Sequence, residues 1–373
     1  MILVDYSSSL HRKLYTSIKQ IVPKKDIDGK FITSEFIQRT KELILKDIEE
    51  IRKMHGAKFG GLVLCFDNYK VKNWRKEIYP LYKGNRSTAR EESEINYQEV
   101  FKELESLHVL FKNFTDIPCI EVDSAEADDC IMILAKHIAL VYNEPVLVFS
   151  ADKDMIQSQR HSPLIEQHSP MTHKKLVAEC KAGSMAEWVF EHICLGDDAD
   201  NIPKIAVGLE FSENFKNWLT GLGVTHLTPS ELYERLGMEK FYQLCDHYKI
   251  EKKNRKGEDN GIKDIFIDVR FGPSNLWKKV KDFGGIEEFL DSDPLLRQYY
   301  ERNRQLILDE NIPEHIVNEC IKQYDEFESK FQPQKINEWF FNNNISPLVY
   351  NINLMFNSNS KKKRELTIED FGW

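Results

Sequence analysis

The sequence predicts an α/β fold, a parallel sheet covered on both faces, followed by a mainly helical region. Three observations predict it. Short runs that are apolar throughout alternate with longer segments of helical spacing, the pattern of a sheet buried on both sides. Three of those runs end on, or next to, an aspartate. After about residue 205 the strand-like runs stop and helical spacing continues, broken by polar inserts such as "EKKNRKGEDNG" (251–261).

The elements follow in order. "MILVDY" (1–6) reads as a short buried strand ending in Asp5. Residues 35–54 set Phe36, Thr40, Leu43, Ile44, Ile48 and Ile51 at helical spacing. "GGLVLCFD" (60–67) is a second buried strand, ending in Asp67. Residues 69–90 are basic, aromatic and weakly periodic. Residues 94–114 return to a helical pattern through Val100, Leu104, Leu107 and Phe111. "PCIEV" (118–122) is strand-like. Residues 124–142 form a helix whose acidic first turn suits the macrodipole. "PVLVFS" (145–150) is another apolar strand, with "ADKDM" just past it.

Length and composition bound the function. A chain of 373 residues makes one large domain or two or three smaller ones. With 41% hydrophobic and 30% charged residues, it has the material for a real core. No apolar run is long enough for a transmembrane helix, and "MILVDY" lacks the basic region and cleavage site of a signal peptide. The seven cysteines are odd in number and show no C-x-x-C, so reduced thiols in a cytoplasmic protein are expected. The net charge of −9 argues against a chain-wide basic surface but leaves room for a local one.

The acids carry the strongest signal. "CLGDDADNIP" (194–203) sets Asp197, Asp198 and Asp200 close together, with no Lys or Arg nearer in sequence than Lys204. Like charges so placed raise one another's pKa unless something positive joins them. Asp5 and Asp67 end two strands, Glu126, Asp128 and Asp129 open a helix, and Asp152 and Asp154 follow a third strand. In a parallel sheet the site lies beyond the carboxyl ends of the strands. Acids gathered there would repel one another by on the order of several kcal/mol. A hard divalent cation with oxygen ligands, Mg²⁺ or Mn²⁺, resolves that repulsion. Taken singly, each acid also fits a turn, a helix start or a solvated loop. Zinc is not indicated, because the His and Cys residues show no ligand spacing. Neither a P-loop nor a G-x-S-x-G motif occurs.

Beside Asp67 lies a basic strip. Lys70, Lys72, Arg75, Lys76, Lys83, Arg86 and Arg90 stand there against Glu77, interleaved with Tyr69, Trp74, Tyr79 and Tyr82. Cations meet backbone phosphates and aromatic rings stack on unpaired bases, although a solvated basic loop reads the same way. A carboxylate metal site beside a phosphate-binding strip suggests phosphodiester hydrolysis. Two metals about 4 Å apart would activate water and stabilise the leaving oxygen.

"LVDYSS", "CFD", "WRKEIYPLYKGNR", "EADD", "SADKD" and "GDDADNIP", in this order and spacing, resemble the 5′-nuclease or flap-endonuclease superfamily. "SPMTHKKLV" (169–177) and "RNRQLILDENIPEHIV" (302–317) resemble its T-even-type bacteriophage ribonuclease H subgroup. The resemblance implies a three-layer, PIN-like nuclease domain over 1–203 with a helical arch at about 69–96, and a helical DNA-binding domain over 204–350. It implies two Mg²⁺ ions, replaceable by Mn²⁺. Asp5, Asp67, Glu126, Asp128, Asp152 and Asp154 would be the inner metal-site acids, with Asp129, Asp197 and Asp200 as further or water-mediated ligands. Tyr82, Lys83 and Arg86 would form the strip at the arch base, Lys83 being the cation over the scissile phosphate. Lys72 and Arg75 would add DNA contacts.

One departure stands out. In the family the acidic loop runs directly into a helix–three-turn–helix that grips duplex backbone. Here about 65 residues separate Pro203 from "VRFGPSNLWKKVKDFGGIEEFL" (269–290), which resembles the second half of that motif. Gly272, Ser274 and Lys278 are its phosphate-contact candidates, and the motif's K⁺ site is put in doubt.

The implied activity is that of a 5′→3′ exonuclease and flap endonuclease with ribonuclease H activity, a monomer removing RNA primers and 5′ flaps in phage DNA replication. A PIN-like single-strand ribonuclease and a non-catalytic, structure-binding replisome scaffold are the alternatives. The tail (351–373) ends in "KKKRELTIEDFGW", whose Leu366, Ile368, Phe371 and Trp373 suggest a peptide for a sliding clamp or another replisome partner such as a single-stranded DNA-binding protein.

Overall fold

A computed structural model describes residues 1–357 except 69, 85–92, 179–182, 206–212, 225–231, 233–234, 238–239, 241–242, 244–271 and 293. Arg86 with residues 85–92 of the expected arch, most of residues 205–268 and the tail residues Leu366, Ile368, Phe371 and Trp373 therefore lie outside the described residues. The chain divides into two compact units. One comprises 1–74, 87–177 and 312–373, the other 75–86 and 178–311.

The first unit is built on a six-stranded sheet of order β3-β2-β1-β4-β5-β6. The strands are β1 (Ile2–Asp5), β2 (Leu62–Cys65), β3 (Cys119–Ile120), β4 (Val146–Phe149), β5 (Ile165–His168) and β6 (Lys175–Leu176). β1 lies between β2 and β4, parallel to both, with Ile2 opposite Leu62 and Leu147. The sequence predicts a wholly parallel sheet, but β6 is antiparallel to β5. The reason is the length of the connection: Ser169 N–H donates to Lys174 O at 2.9 Å across a short turn, and a parallel return needs a crossover of about a dozen residues.

Both faces of the central strands are covered, which is why these runs are apolar throughout. Ile2, Val4, Leu62, Leu64, Leu147 and Phe149 join the core with helices α1 (Tyr6–Ile21), α2 (Thr33–Phe59) and α3 (Tyr97–Phe114). The alternating Leu3, Val63 and Val148 are equally buried, and α4 (Ala127–Val141) packs on β1 and β4. The C-terminal segment returns to this unit. Helix Glu314–Asp325 packs on α4, with Cys320 Sγ 3.7 Å from Cys130 O, and Ile336, Phe340, Met355 and Phe356 enter the core. The units therefore do not follow the sequence boundary at 203, because apolar stripes beyond residue 312 find their cover on the sheet-bearing unit.

The second unit is mainly helical. Helices Met185–Leu195, Pro273–Phe283 and Pro294–Ile307 and the single helical turn Arg75–Ile78 gather around Phe190, Leu276, Phe289 and Tyr299. Among the described residues no helix is long and apolar enough to cross a membrane. The described cysteines, 65, 119, 130, 194 and 320, are free thiols.

Candidate active site

Seven of the nine acids lie in the first unit, at one end of its sheet. Asp5 closes β1 and caps α1, its Oδ1 accepting from Ser8 N–H at 2.8 Å. Asp67, just past β2, accepts from Ala127 N–H at 2.9 Å, while its own N–H donates to Ser7 Oγ at 3.1 Å. It thereby laces the start of α1 to the start of α4. Glu126 and Asp129 form a reciprocal capping box on α4. Asp129 is fully buried, and its Oδ2 accepts from Glu126 N–H at 3.0 Å and Trp74 Nε1–H at 3.2 Å. Asp128 sits in the same first turn. Asp152, past β4, caps the 3₁₀ turn that carries Asp154, whose N–H donates to Asp152 Oδ1 at 2.9 Å. Gln167 of β5 holds this loop, donating to Ser150 O at 2.9 Å and Asp152 O at 2.6 Å.

β2, β1 and β4 are neighbours, so these carboxylates share one rim. Main-chain N–H groups fix the orientation of Asp5, Asp67, Asp129 and Asp152. Among the described residues, no three His, Cys, Asp or Glu side chains are grouped as ligands around a single point. The donor chemistry nevertheless fits a hard cation, since every rim acid offers oxygen. Thiolate ligation does not fit. Burial pushes the Cys65 thiol well above its ordinary value, and the charges of Asp5 and Asp128 add to it. A thiol so raised stays protonated.

Asp197 and Asp200 lie in the second unit, where the loop that holds them is tightly built. Asp197 and Ile202 exchange main-chain hydrogen bonds at 2.9 and 2.8 Å. Asp197 Oδ1 accepts from Ala199 N–H at 2.7 Å and Asp200 N–H at 3.3 Å. Gly196 has φ of +62°, and a Cβ there would stand 2.4 Å from Ile202 O. Asp200 has a positive neighbour in space that the sequence hides. Lys83 Nζ is 3.4 Å from its Oδ2, and Tyr82 OH donates to the same oxygen at 2.9 Å.

The basic strip is less exposed than the sequence predicts. Arg75 is 4% exposed; its Nε–H donates to Leu306 O at 2.8 Å and its guanidinium lies 5.6 Å from the Tyr82 ring centre. Tyr82 is 2% exposed, and Trp74 and Tyr79 are buried as well. These three rings are packed within the protein, and Arg75 is a buried cation with an internal hydrogen-bond partner. Lys72 is exposed. Gly272 caps helix Pro273–Phe283, on which Ser274 and Lys278 are exposed one turn apart.

Several positioning residues escape sequence reading: Ser7, Gln167, Asn201, whose Nδ2 donates to Leu81 O at 2.8 Å, and Asn303, whose Nδ2 donates to Ile193 O and Pro203 O at 3.0 and 2.8 Å. Each serves a partner distant in sequence, and no local spacing signals it.

With this geometry the chain matches the family described as "5′-3′ exonuclease, N-terminal resolvase-like domain" over residues 1–182. Over that segment, just under half of its length, the chain is similar to the 5′-3′ exonuclease family. It is 32% identical over 176 residues to the ribonuclease H of Enterobacteria phage T4, covering 47% of this chain and 56% of that protein. It is 33% identical over 167 residues to a 5′-3′ exonuclease of Buchnera aphidicola subsp. Schizaphis graminum, covering 43% and 53%. The chain thus spans about half the length of the curated relatives it matches. The T5 D15 protein, crystallised with metal ions, shares the fold at a TM-score of 0.50 and 15% identity, over 92% of this chain and 97% of that one.

Proposed function

We propose that the protein is a divalent-metal-dependent 5′→3′ exonuclease and flap endonuclease with ribonuclease H activity, hydrolysing phosphodiesters at 5′ ends and flaps of DNA and RNA–DNA duplexes. The observation that carries this reading is the rim of Asp5, Asp67, Glu126, Asp128, Asp129, Asp152 and Asp154 at the adjoining ends of β2, β1 and β4. The T4 and Buchnera relatives, a ribonuclease H and a 5′-3′ exonuclease by name, support it.

In this reading the sheet-bearing unit is the three-layer, PIN-like nuclease core, and the rim acids would hold two Mg²⁺ ions, with Asp197 and Asp200 as further or water-mediated ligands. Bound there, a divalent ion supplies a Lewis acid that makes water nucleophilic near neutral pH and stabilises the leaving oxygen. The chain's own residues do the rest. Main-chain donors hold the carboxylates in place before substrate arrives, which lowers the reorganisation needed during reaction. Lys83, held by Asp200, offers a positive charge to the transferring phosphate. Lys72, Ser274 and Lys278 bind backbone phosphates, as Arg86 is proposed to do. No side chain acts as the nucleophile. The tail residues Leu366, Ile368, Phe371 and Trp373 would tether the monomer to a sliding clamp.

The test is product mapping on a nicked duplex carrying a 5′ flap, with Mg²⁺. Release of short 5′ products and of the flap at its base is expected. Cleavage confined to plain single-stranded RNA would favour the PIN-like ribonuclease. Binding without turnover in either Mg²⁺ or Mn²⁺ would favour a scaffold.

A further inference from the structure

A cavity of about 280 Å³ opens beside the rim in the first unit, lined among others by Tyr6, Phe66, Asp67, Lys70, His108 and Lys112. Its wall is aromatic. The Tyr6 and Phe66 ring centres are 4.4 Å apart, and Phe66 stacks on His108 at 4.2 Å with 12° between planes. Two polar atoms of this wall, the Tyr6 hydroxyl and His108 Nε2, are buried without a hydrogen-bond partner. Tyr6 as a whole is 5% exposed. Such atoms are costly to leave unmatched, and a native structure keeps few of them unless something else binds there. Lys70 is exposed at this cavity and carries no ion pair among the described residues. Lys112 is paired with Glu121 and stands 6.0 Å from the Phe66 ring centre.

We propose that this cavity is a nucleobase subsite, in which one purine or pyrimidine ring packs against the Phe66–His108 wall and hydrogen-bonds to Tyr6 and His108, with Lys70 serving the attached phosphate. A base brings the two features that the wall calls for, a flat π face and an edge of donors and acceptors. The cavity falls just below the usual volume of sites for larger small molecules, so it suits one ring system and not a peptide segment. Stacking of this kind tolerates any base. The inference rests on the nuclease reading only for the origin of the base. That origin is either the unpaired end of a strand or a free mononucleotide, and the base–phosphate chemistry is common to both.

The test uses the full chain in EDTA, so that no cleavage interferes. Binding of dGMP and dTMP is measured by calorimetry. Binding of a 5′-flap duplex is compared with that of the same duplex made abasic at its first unpaired residues. Tyr6→Phe and His108→Phe keep the rings and remove the polar atoms, and thermal melts check that both fold. Mononucleotide binding weakened about fivefold in each variant, the worth of one lost hydrogen bond, supports a free-nucleotide site. A preference for the base-bearing flap that His108→Phe abolishes supports a strand-end site. Neither effect in well-folded protein overturns the proposal. Flap cleavage in Mg²⁺ is scored separately, so failure of the nuclease reading would leave a base effect in EDTA standing.

Discussion

Lys83 and Asp200 are joined at both main chain and side chain. Lys83 N–H donates to Asp200 O at 2.9 Å, and Lys83 Nζ lies 3.4 Å from the Asp200 carboxylate. The backbone at Lys83 is left-handed, with φ of 52°. A flexible side chain thus starts from a fixed point and ends beside a fixed charge, an arrangement that suits the role proposed for Lys83.

The first prediction concerns that cation. Lys83→Ala should slow single-turnover flap cleavage by on the order of 100-fold, the usual effect of removing one preorganised charge partner, with little change in binding. Lys72→Ala should do the reverse, because an exposed phosphate contact acts equally in ground and transition states. Equal cleavage rates at saturating enzyme for Lys83→Ala and wild type would refute the distinction.

Arg75 belongs to a different class from Lys72. Its Nε–H bond to Leu306 O is internal. Arg75→Ala should lower stability by about 2 kcal/mol, the cost of losing a hydrogen bond from a charged donor, while leaving DNA affinity per folded molecule unchanged. Urea denaturation beside a binding titration separates the two, and an unshifted urea midpoint with weakened binding would return Arg75 to the DNA interface.

The acidic loop depends on Gly196. A methyl group there would meet Ile202 O at 2.4 Å and Pro203 O at 2.8 Å, in a backbone with φ of +62°. Gly196→Ala should therefore destabilise by about 1–3 kcal/mol and displace Asp200 together with its hold on Lys83. Cleavage and melting temperature should fall together. A variant with wild-type melting would contradict the tight loop described above.

These cases mark what a sequence can carry. β1, β2 and β4 are legible because burial on both faces makes Ile2–Val4, Leu62–Cys65 and Val146–Phe149 apolar without interruption. The acids that follow are legible because they stand directly past those apolar runs. β5 is harder, since Glu166 and His168 interrupt its apolar pattern, and β6 has only two residues. The basic strip misleads for a physical reason. Arg75, Trp74 and Tyr82 are polar or amphipathic side chains whose partners Leu306, Asp129 and Asp200 lie 231, 55 and 118 residues away. Burial that depends on such distant partners leaves no periodic trace.

The far edge of the sheet should be acid-sensitive. His55 Nε2 is 3.3 Å from His173 Nδ1, and the His55 and His168 ring centres are 5.3 Å apart, with Lys58 one helical turn along α2. Burial, then His168, His173 and Lys58, lower the His55 pKa. A folded-state pKa below the unfolded one favours the neutral ring in the fold. Its contribution is thus complete above about pH 6.5 and is lost as pH falls through the lowered value. Urea stability should drop between pH 7.5 and pH 5.5, and less so in His55→Gln. Parallel losses in both proteins would exclude this cluster as the cause.

Metal-dependent phosphodiester hydrolysis is the activity proposed for the carboxylate rim. Its most direct measurement is cleavage of a 5′-flap duplex in Mg²⁺ by Asp152→Asn and Asp154→Asn, beside binding of the same duplex in EDTA. Asparagine at 152 keeps a side-chain oxygen for the Asp154 N–H cap, and at either position it removes the charge and turns one acceptor oxygen into an NH₂ donor. Cleavage should fall by on the order of 100-fold or more, with binding within about twofold of wild type. Near-normal cleavage by both variants would contradict it.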